Sequence, residues 1–456
     1  MRTSARFFLG LVVAALVALG LVVLLSASQP ASRQALRYSR NKAVEALSAS
    51  LAHAQARMQR AAPEEYESTR LEVSRLEKEL LSLKARPLSP YFFWKKQLVF
   101  CLIGLVLAVL VARFDYHRWR DWNLATVLFV FEIALLLAVF FFPEHKGSRR
   151  WISLGFADLQ PSEFAKIVVV LVLSVWMDKA SWRVERFVRG AVMPALIIAA
   201  LIVPILFEPD FGSSMVIALA GGLVMTVAGT RWRYIVPMGI FGMLAIAALI
   251  LSNPNRRERL FVQYGHLLDS NGNAATTQSV PPSGNSAGVR SSSSGHVRDD
   301  GYQVRQSLLA IQRGGVSGVG LYKSMQKERY LPENHTDFIF AIGAEELGVF
   351  LSVGTIALFL VFFALSVVIA RNSEDRLGRF IALGSGFIIT FQAFFNLGVI
   401  TGIYPTKGMA LPFFSYGGTS MLSSFIVVGL IFSVANYGCK SRSRQFPAKL
   451  LMRGRG

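Results

Sequence analysis

The strongest constraint on the fold of this chain is a series of uninterrupted apolar runs, each close to the length needed to cross a bilayer. A transmembrane helix needs about 20 apolar residues, with a range of about 17 to 25. Such runs lie near residues 7–26, 97–112, 124–142, 164–177, 191–207, 213–229, 234–251, 347–370, 380–399 and 417–437. Barrel strands would alternate apolar with polar residues, and these runs do not. The sequence therefore predicts an all-α, polytopic integral membrane protein of about ten transmembrane helices.

Composition supports the membrane assignment. The 456-residue chain is 53% hydrophobic and only 17% charged, which lies outside the range of soluble globular proteins. Its two cysteines, Cys101 and Cys439, provide neither a disulfide framework nor the spacing of a metal site. No Walker loop is present, and no GxGxxG follows a strand. The chain is therefore not a soluble domain, and nothing in it indicates a nucleotide-activated substrate.

The distribution of Lys and Arg among the short loops predicts the orientation. With the N-terminus taken as cytoplasmic, the inside loops carry Arg113, Arg118, Arg120, Lys179, Arg183, Arg186, Arg189, Arg231, Arg233, Arg371, Arg376, Arg379 and the basic tail from Lys440. An even number of spans then places both termini in the cytoplasm and the long segment 252–337 outside. The net charge of +20 is therefore a topology signal and an attraction to membrane lipids, and no nucleic-acid partner is expected.

The chain divides into membrane segments and two insertions. The predicted segments are a first transmembrane helix at 1–26, retained as an anchor, an external helical hairpin at 27–92, helices two to seven at 93–251, a large external loop at 252–337, helices eight to ten at 338–437 and a basic cytoplasmic tail at 438–456. Within the large loop, residues 270–300 are rich in Ser, Gly, Asn and Pro and are predicted to be disordered.

Two apolar stripes at helical spacing define the hairpin. They comprise Val44, Leu47, Leu51, Ala54 and Met58 in the first arm, and Val73, Leu76, Leu80 and Leu83 in the second. We expect the two stripes to close on each other and the outer face to recognise an external domain. A passive spacer or a partly disordered loop is the alternative.

Cations on the external side contradict the orientation rule and therefore indicate a ligand. They are Lys146, Arg149, Arg150 and Lys407, each in a loop punctuated by Gly or Pro at the end of a span. Arg and Lys bind phosphate oxygens, so a phosphate-bearing lipid substrate would account for them. The alternative is that these side chains reach toward lipid headgroups.

Charged residues also stand at the ends of apolar runs, where ionisable groups are costly. Glu163 and Lys166 open the fourth span, and either line a functional cavity or form an i,i+3 pair within their helix. Glu208 and Asp210 separate the fifth span from the sixth, where Asp210 is alternatively a turn residue.

The stretch "HTDFIFAIGAEELG" at 335–348 places polar residues directly before an apolar helix. Thr336 or Asp337 could be a helix cap. A carboxylate on the external side could instead serve as a general base. Glu345 and Glu346 are predicted to be interhelical hydrogen-bond partners rather than a second base.

Four long motifs resemble the SEDS family (shape, elongation, division and sporulation) of polytopic peptidoglycan glycosyltransferases. They are "RWISLGFADLQPSEFAK" at 150–166, "EPDFGSS" at 208–214, "GVGLYKSMQKERYLPENHTDFIFAIGAEELG" at 318–348 and "NLGVITGIYPTKGMALPFFSYGGTS" at 396–420. The pieces "SMQK" and "PTKG" favour the division branch over the elongation branch. The resemblance covers the spans from about residue 95 onward and, more weakly, the first span, but neither insertion.

The resemblance implies polymerisation of lipid II on the external face of the bacterial plasma membrane, at the division septum. Asp337 matches the essential aspartate of the family and is the predicted catalytic base. The predicted substrate-binding residues are Lys146, Arg149, Arg150, Glu163, Lys166, His335, Lys407 and Ser415. No organic cofactor is implied, and a divalent cation stays open as a stabiliser of the pyrophosphate. The implied partners are lipid II, the glycan strand, a class B transpeptidase (a penicillin-binding protein) and other division proteins.

Two other functions are compatible with a polytopic helical protein. The chain could flip lipid II across the membrane, or it could be a membrane scaffold whose hairpin recruits division proteins. A transporter would carry ionisable residues through the membrane depth on both sides. Here the polar loops concentrate on the predicted external side, which favours the enzyme.

Overall fold

The computed structural model describes residues 2–60, 63–85, 89–144, 149–155, 158–180, 184–208, 210–251, 294–329, 335–404 and 408–438. Lys146 and Lys407 lie outside the described residues. So do the predicted insert up to residue 293 and the tail from residue 439.

The described part is almost entirely helical. Its α-helices are α1 (Arg2–Arg60), α2 (Pro63–Ala85), α3 (Phe92–Arg113), α4 (Trp122–Ala138), α5 (Pro161–Lys179), α6 (Met193–Phe207), α7 (Phe211–Ala228), α8 (Trp232–Leu251), α9 (Ser294–Gly314), α10 (Gln326–Arg329), α11 (Ile339–Arg371), α12 (Arg376–Ile400) and α13 (Gly418–Tyr437). Short 3-10 turns at Tyr116–Arg120 and Val139–Phe141 and a π-turn at Val188–Val192 adjoin them. β1 (Ile152–Ser153) and β2 (Asp158–Leu159) form one antiparallel pair, with Ile152 opposite Leu159.

The predicted spans all fall on helices. Within the described residues, 8 helices are long and apolar enough to cross a membrane. The predicted span on α5 is not among them, because several charged residues lie within that helix. The predicted span at 234–251 lies on α8. The α5 helix carries the charged pair Glu163 and Lys166 yet has most of its residues buried, because it lies among α4, α6, α7 and α12. The all-α, polytopic prediction is confirmed.

The two ends of the helix bundle differ in charge. The start of α1 meets the end of α13, where Arg6 donates to Asn436 Oδ1 at 3.0 Å. At the same end Arg120 donates to Asp178 at the close of α5, at 2.9 Å. The described cations that were predicted to face the cytoplasm adjoin helix termini at this end. We call it the basic end. Residues 335–338 and the β pair lie at the opposite end, which we call the site end. The orientation rule places the basic end in the cytoplasm.

The first transmembrane helix has no boundary at residue 26. It continues through Pro30 to Arg60, so the first arm of the hairpin is a direct extension of the membrane helix. At 1.5 Å per residue, residues 27–60 extend about 50 Å beyond the span. The predicted hairpin is therefore present, and its first arm continues from the membrane helix despite the proline at residue 30.

The hairpin closes along its predicted stripes. Ala54 and Val73 are buried between the arms, whereas Leu71 and Leu81, on other faces of α2, are two-thirds exposed. Arg57 and Glu72 form an exposed ion pair across the arms at 2.7 Å, which contributes little to stability by itself. The apolar stripes therefore hold the arms together, as predicted.

A break in α11 shapes the site end. Gly348 has φ 70° and ψ −158° inside the helix, a conformation that is essentially restricted to glycine. The backbone groups freed by the break are paired by the segment after α9. Val319 and Gly320 donate to the carbonyls of residues 345 and 346 at 3.0 Å, and Val349 donates to residue 315 at 3.1 Å. This pairing satisfies backbone groups that would be costly to leave exposed at membrane depth.

The large loop at 252–337 is only partly a loop. The helix α9 begins at Ser294, so the end of the predicted disordered insert is helical. This helix packs against α11, and Ser307 Oγ donates to the carbonyl of Ile400 at 2.8 Å. Val304 and Ala310 are buried on its inner face. The low-complexity composition concealed this amphipathic segment, because its first residues share the Ser-rich character of the insert.

Replacing Gly348 with alanine tests the break. A Cβ atom at this position would lie 2.5 Å from the backbone nitrogen of Gly318 and 2.5 Å from the carbonyl oxygen of Val316. Added to backbone strain of about 1–3 kcal/mol, this overlap should lower the melting temperature of the detergent-purified protein markedly.

Gly354→Ala in the same helix is the control, because a Cβ there meets nothing within 4 Å. It should leave the melting temperature unchanged or raise it slightly, since alanine favours helix over glycine by about 1 kcal/mol. Equal melting temperatures for both variants would contradict the proposed role of Gly348.

Candidate active site

Two segments from distant parts of the sequence meet at the site end. One is residues 335–338, directly before α11, and the other is residues 408–417, directly before α13. The backbone amide of Tyr416 donates to the carbonyl of His335 at 2.9 Å. Ser415 Oγ donates to the carbonyl of Thr336 at 2.6 Å. The two segments therefore form one joined surface.

A buried amide on α12 fastens both segments from beneath. Asn396 Nδ2 donates to the carbonyl of Asp337 at 2.9 Å and to the carbonyl of Met409 at 2.7 Å. The Asn396 side chain is buried, so these bonds are shielded from water. Both hydrogens of one amide group thus set the distance between the Asp337 backbone and the second segment.

The carboxylate of Asp337 is half-buried and lies against Gly408. A Cβ atom on Gly408 would be 2.8 Å from Asp337 Oδ2, so the carboxylate lies directly against the Gly408 backbone. The residue that caps α11 is Phe338, and no side chain makes a capping bond there. The alternative that Thr336 or Asp337 is a helix cap is therefore wrong.

Aromatic rings enclose His335. Its imidazole stacks on Phe93 at 4.9 Å between ring centres and lies 5.8 Å from the ring of Tyr416. Burial, with a smaller contribution from the charge of Asp158, raises the pKa of the Tyr416 phenol to about 12. Tyr416 is therefore neutral at physiological pH, and His335 is held in place by packing against these two rings.

Ser415 lies within the second segment and supports it. Its hydroxyl accepts from the amide of Leu411 at 2.8 Å while donating to Thr336, and Gln97 Nε2 donates to its carbonyl at 3.1 Å. Gln97 Oε1 in turn accepts from the amide of Gly417 at 3.2 Å. The structure therefore gives Ser415 a role in holding the segment, and its contact with substrate stays a prediction.

Glu163 and Lys166 form the predicted i,i+3 pair, 2.7 Å apart, and both are buried. Lys166 Nζ also donates to Gln392 Oε1 at 2.7 Å, and Gln392 Nε2 donates to the carbonyl of Ala410 at 2.8 Å. Ser423 Oγ donates to Glu163 at 3.0 Å. The pair therefore joins three helices beneath the second segment. The alternative of an i,i+3 pair is therefore confirmed, and contact of these residues with substrate stays a prediction.

The external cations occupy different environments. Arg150 is half-buried, and its Nε donates to the carbonyl of Glu208 at 2.8 Å. Arg149 is exposed, 3.3 Å from Glu144, and also donates to the carbonyl of Phe140 at 3.2 Å. Arg150 is thus held in a fixed position, whereas Arg149 lies at the surface.

Glu208 and Asp210 have separate roles. Asp210 caps α7 by accepting from the amide of Ser213 at 3.2 Å, and it also accepts from Ser162 Oγ at 3.2 Å. This confirms the turn interpretation. Glu208 is buried, and within the described ranges neither of its carboxylate oxygens has a hydrogen-bond partner. Burial is the main cause that raises its pKa to about 8, and Asp210 acts in the same direction while Arg150 opposes it.

Comparisons with known proteins agree with this architecture. The sequence profile of a family described as "Cell cycle protein", which groups FtsW, RodA and SpoVE, matches residues 81–439. This chain belongs to the FtsW/RodA/SpoVE family. The match leaves out most of the hairpin, so the hairpin is an addition to the part that the family shares.

Relatives within the family carry two kinds of name. The chain is 32% identical over 349 residues to a "Probable peptidoglycan glycosyltransferase FtsW" of Geobacter metallireducens, covering 76% of this chain and 85% of the relative. It is 34% identical over 348 residues to "Stage V sporulation protein E" of Bacillus subtilis, covering 76% and 88% respectively.

Solved structures share the fold of this family member. A chain from a structure entitled "Structural coordination of polymerization and crosslinking by a peptidoglycan synthase complex" has a TM-score of 0.58 at 25% identity, covering 76% of this chain and 90% of that one. The rod shape determining protein RodA of Thermus thermophilus has a TM-score of 0.57 at 23% identity, covering 94% and 96%.

The acidic pair after the Asp337 segment, Glu345 and Glu346, is structural in this family member. Glu345 accepts from Ser324 Oγ at 2.5 Å and from the amide of Met325 at 3.3 Å. Glu346 accepts from Ser26 Oγ and Lys327 Nζ, each at 2.7 Å. The two carboxylates anchor the segment that pairs with the broken α11 helix. The prediction that they are hydrogen-bond partners is confirmed.

A metal site receives no support from the described part of the chain. Among those residues, no group of three or more His, Cys, Asp or Glu side chains is placed to hold an ion. The divalent cation therefore stays a prediction, and the chemistry below is derived from the residues of the chain alone.

Sequence reasoning missed the amides that support the site. Asn396, Gln392 and Gln97 are buried polar residues within otherwise apolar helices. Polar side chains in transmembrane segments usually bond across helices, so their presence in apolar runs is a signal that could have found them. These three side chains are uncharged, so they were not among the predicted site residues, most of which are charged.

Proposed function

We propose that this chain is a peptidoglycan glycosyltransferase that polymerises lipid II on the external face of the bacterial plasma membrane. The observation that carries the proposal is the placement of the Asp337 carboxylate on the joined surface at the site end, against Gly408 and above the Asn396 bridge. The family membership and the names of the relatives support the same activity.

The reaction joins two sugars. The 4-hydroxyl of one lipid II molecule attacks the anomeric carbon of another, forming a new glycosidic C–O bond. The bond from that carbon to the phosphate oxygen breaks, undecaprenyl pyrophosphate leaves, and the configuration inverts. Asp337 accepts the proton of the attacking hydroxyl, which requires hydrogen-bond distance between the two groups.

Positive charge is needed where the pyrophosphate leaves. Arg150 is the described cation best suited to this, because its link to the Glu208 carbonyl holds it at the site end and guanidinium groups bind phosphate oxygens. Lys407 directly precedes Gly408, which touches Asp337, and we propose that it acts on the same group. Arg149 adds positive charge beside Arg150, and we propose that Lys146, just before it in the sequence, acts with them.

Asp337→Asn tests the base. The substitution keeps the size of the side chain and removes the proton acceptor. Glycan synthesis from lipid II by the purified variant should fall at least about 100-fold, as is typical for loss of a general base. Its melting temperature should be close to that of the wild type.

Asp158→Asn is the matched control, since it removes another carboxylate at the same end. It should retain polymerisation. Normal glycan chains from Asp337→Asn, or equal loss in both variants, would rule out the assigned role of Asp337.

We further propose that the chain works at the division septum with a cross-linking enzyme of the class B transpeptidase type. The structural relative from a complex that coordinates polymerisation and cross-linking supports such a partner. The hairpin of α1 and α2 is the proposed contact. It lies largely outside the family match, and the continuous α1 helix carries it well beyond the site end. Its apolar stripes face each other, so its polar outer face is the surface offered to a partner.

Deletion of residues 40–86, with a short flexible linker joining the ends, separates recognition from chemistry. Co-purification of the partner should be lost while basal polymerisation is retained, because Asp337 and its supports lie on other segments. A neutralising substitution of the exposed pair Arg57 and Glu72, which leaves the stripes intact, is the control for hairpin folding. Unchanged partner binding after the deletion would contradict the proposed role of the hairpin.

A further inference from the structure

A cavity of about 510 Å³ opens at the basic end of the bundle, far from Asp337. It lies between the end of α3, the 3-10 turn that follows and the end of α13. Its lining residues are Arg113, Phe114, Asp115, His117, Arg118 and Tyr437. The volume is within the usual range for small-molecule sites. None of these residues takes part in the site described above.

The cavity has an excess of positive charge. Arg113 and Arg118 are exposed and form no ion pair with any residue in the described ranges. By contrast, Arg120 in the same turn is bonded to Asp178 at 2.9 Å. Two guanidinium groups at one cavity are therefore available to an anion.

The acidic and titratable groups of the cavity are engaged with each other. Asp115 Oδ1 accepts from the amide of His117 at 3.0 Å and lies 2.6 Å from its ring Nδ1. His117 Nε2 lies 3.8 Å from Asp375. Asp115 is thereby directed at His117, which leaves the two arginines as the uncompensated charges.

Neighbouring groups hold the two arginines in position. The Arg118 guanidinium lies over the ring of Phe114, 5.3 Å from its centre. Tyr437 OH donates to the carbonyl of Arg113 at 2.7 Å, and Ser433 Oγ donates to the carbonyl of Phe114 at 2.5 Å. These bonds fasten the backbone at Arg113 and Phe114 to α13. They also satisfy carbonyls at the end of α3 whose partial negative charge would oppose an anion.

An exposed apolar stripe on α3 leads to the cavity. The stripe consists of Leu102, Val106 and Val109, at spacings of four and three residues. Each of these side chains is between two-fifths and three-fifths exposed. Arg113 follows on the same face of the helix. From Leu102 to Arg113 the helix rises about 16 Å. This is close to half of a hydrocarbon core about 30 Å thick. One acyl chain could therefore lie along the stripe while its headgroup reaches Arg113.

We propose that this cavity binds the phosphate of an anionic phospholipid, with Arg113 and Arg118 contacting the phosphate and the acyl chains lying along α3. Guanidinium groups bind phosphate oxygens through two parallel hydrogen bonds. Free inorganic phosphate shares this chemistry, but it would make no use of the apolar stripe.

Binding of fluorescent phosphatidylglycerol to the full-length protein in detergent micelles tests the proposal. The double variant Arg113→Ala/Arg118→Ala should bind about 30-fold more weakly. This factor corresponds to about 2 kcal/mol, because each of the two cations contributes about 1 kcal/mol to binding of an anionic lipid. Unlabelled phosphatidylglycerol should compete with the probe. Phosphatidylcholine and millimolar inorganic phosphate should not.

Arg186→Ala/Arg371→Ala is the matched control, because it removes two cations from the same end outside the cavity. Its affinity should stay within about threefold of the wild type, because neither arginine lines the cavity. If Arg113→Ala/Arg118→Ala misfolds, Arg118→Gln alone should still weaken binding, since Arg118 is exposed and its removal disturbs no buried contact. Equal loss in both double variants would overturn the proposal, as would effective competition by inorganic phosphate or by phosphatidylcholine.

Discussion

The arrangement of the active site depends on one buried amide. Asn396 gives one hydrogen to the backbone carbonyl of Asp337 and the other to that of Met409. In a low-dielectric interior such bonds are strong when made and costly when lost. They fix the distance between two loops that are otherwise joined only near the surface. Gln392 lies on the same helix as Asn396. It accepts from Lys166 of the Glu163–Lys166 pair and donates to the carbonyl of Ala410, so it also supports the second loop. A general base must be held in a fixed position to act. These buried hydrogen bonds supply that support beneath the half-buried carboxylate of Asp337.

Much of this fold follows from patterns that are local in the sequence. The apolar runs predict the spans, because length and composition alone decide what can cross a bilayer. The hairpin stripes predict which faces of α1 and α2 meet. The break at Gly348 and the Asn396 bridge could not be predicted in this way. A glycine in an apolar run does not reveal its backbone angles, and one partner of Asn396, the carbonyl of Asp337, lies 59 residues away in the sequence. Asp337 was reached through the family motif, whereas its supports required the structure.

The two ends of the bundle are specialised for different partners. The site end combines irregular backbone with polar side chains, and such backbone is tolerated near the membrane because the segment after α9 pairs with it. The basic end carries arginines that the orientation rule assigns to the cytoplasm. The proposed lipid cavity and the proposed polymerase site therefore lie at opposite ends, and each can be altered while the other is left intact.

The most direct measurement is the turnover of lipid II by Asn396→Leu, which removes both hydrogen bonds at similar volume. We predict that kcat falls at least about tenfold, because small displacements of a catalytic group are costly, while KM and the fold are largely retained. Thr390→Val on the same helix is the control, since the buried Thr390 hydroxyl has no hydrogen-bond partner among the described residues. It should leave kcat unchanged. A folded Asn396→Leu protein with wild-type kcat would contradict the account.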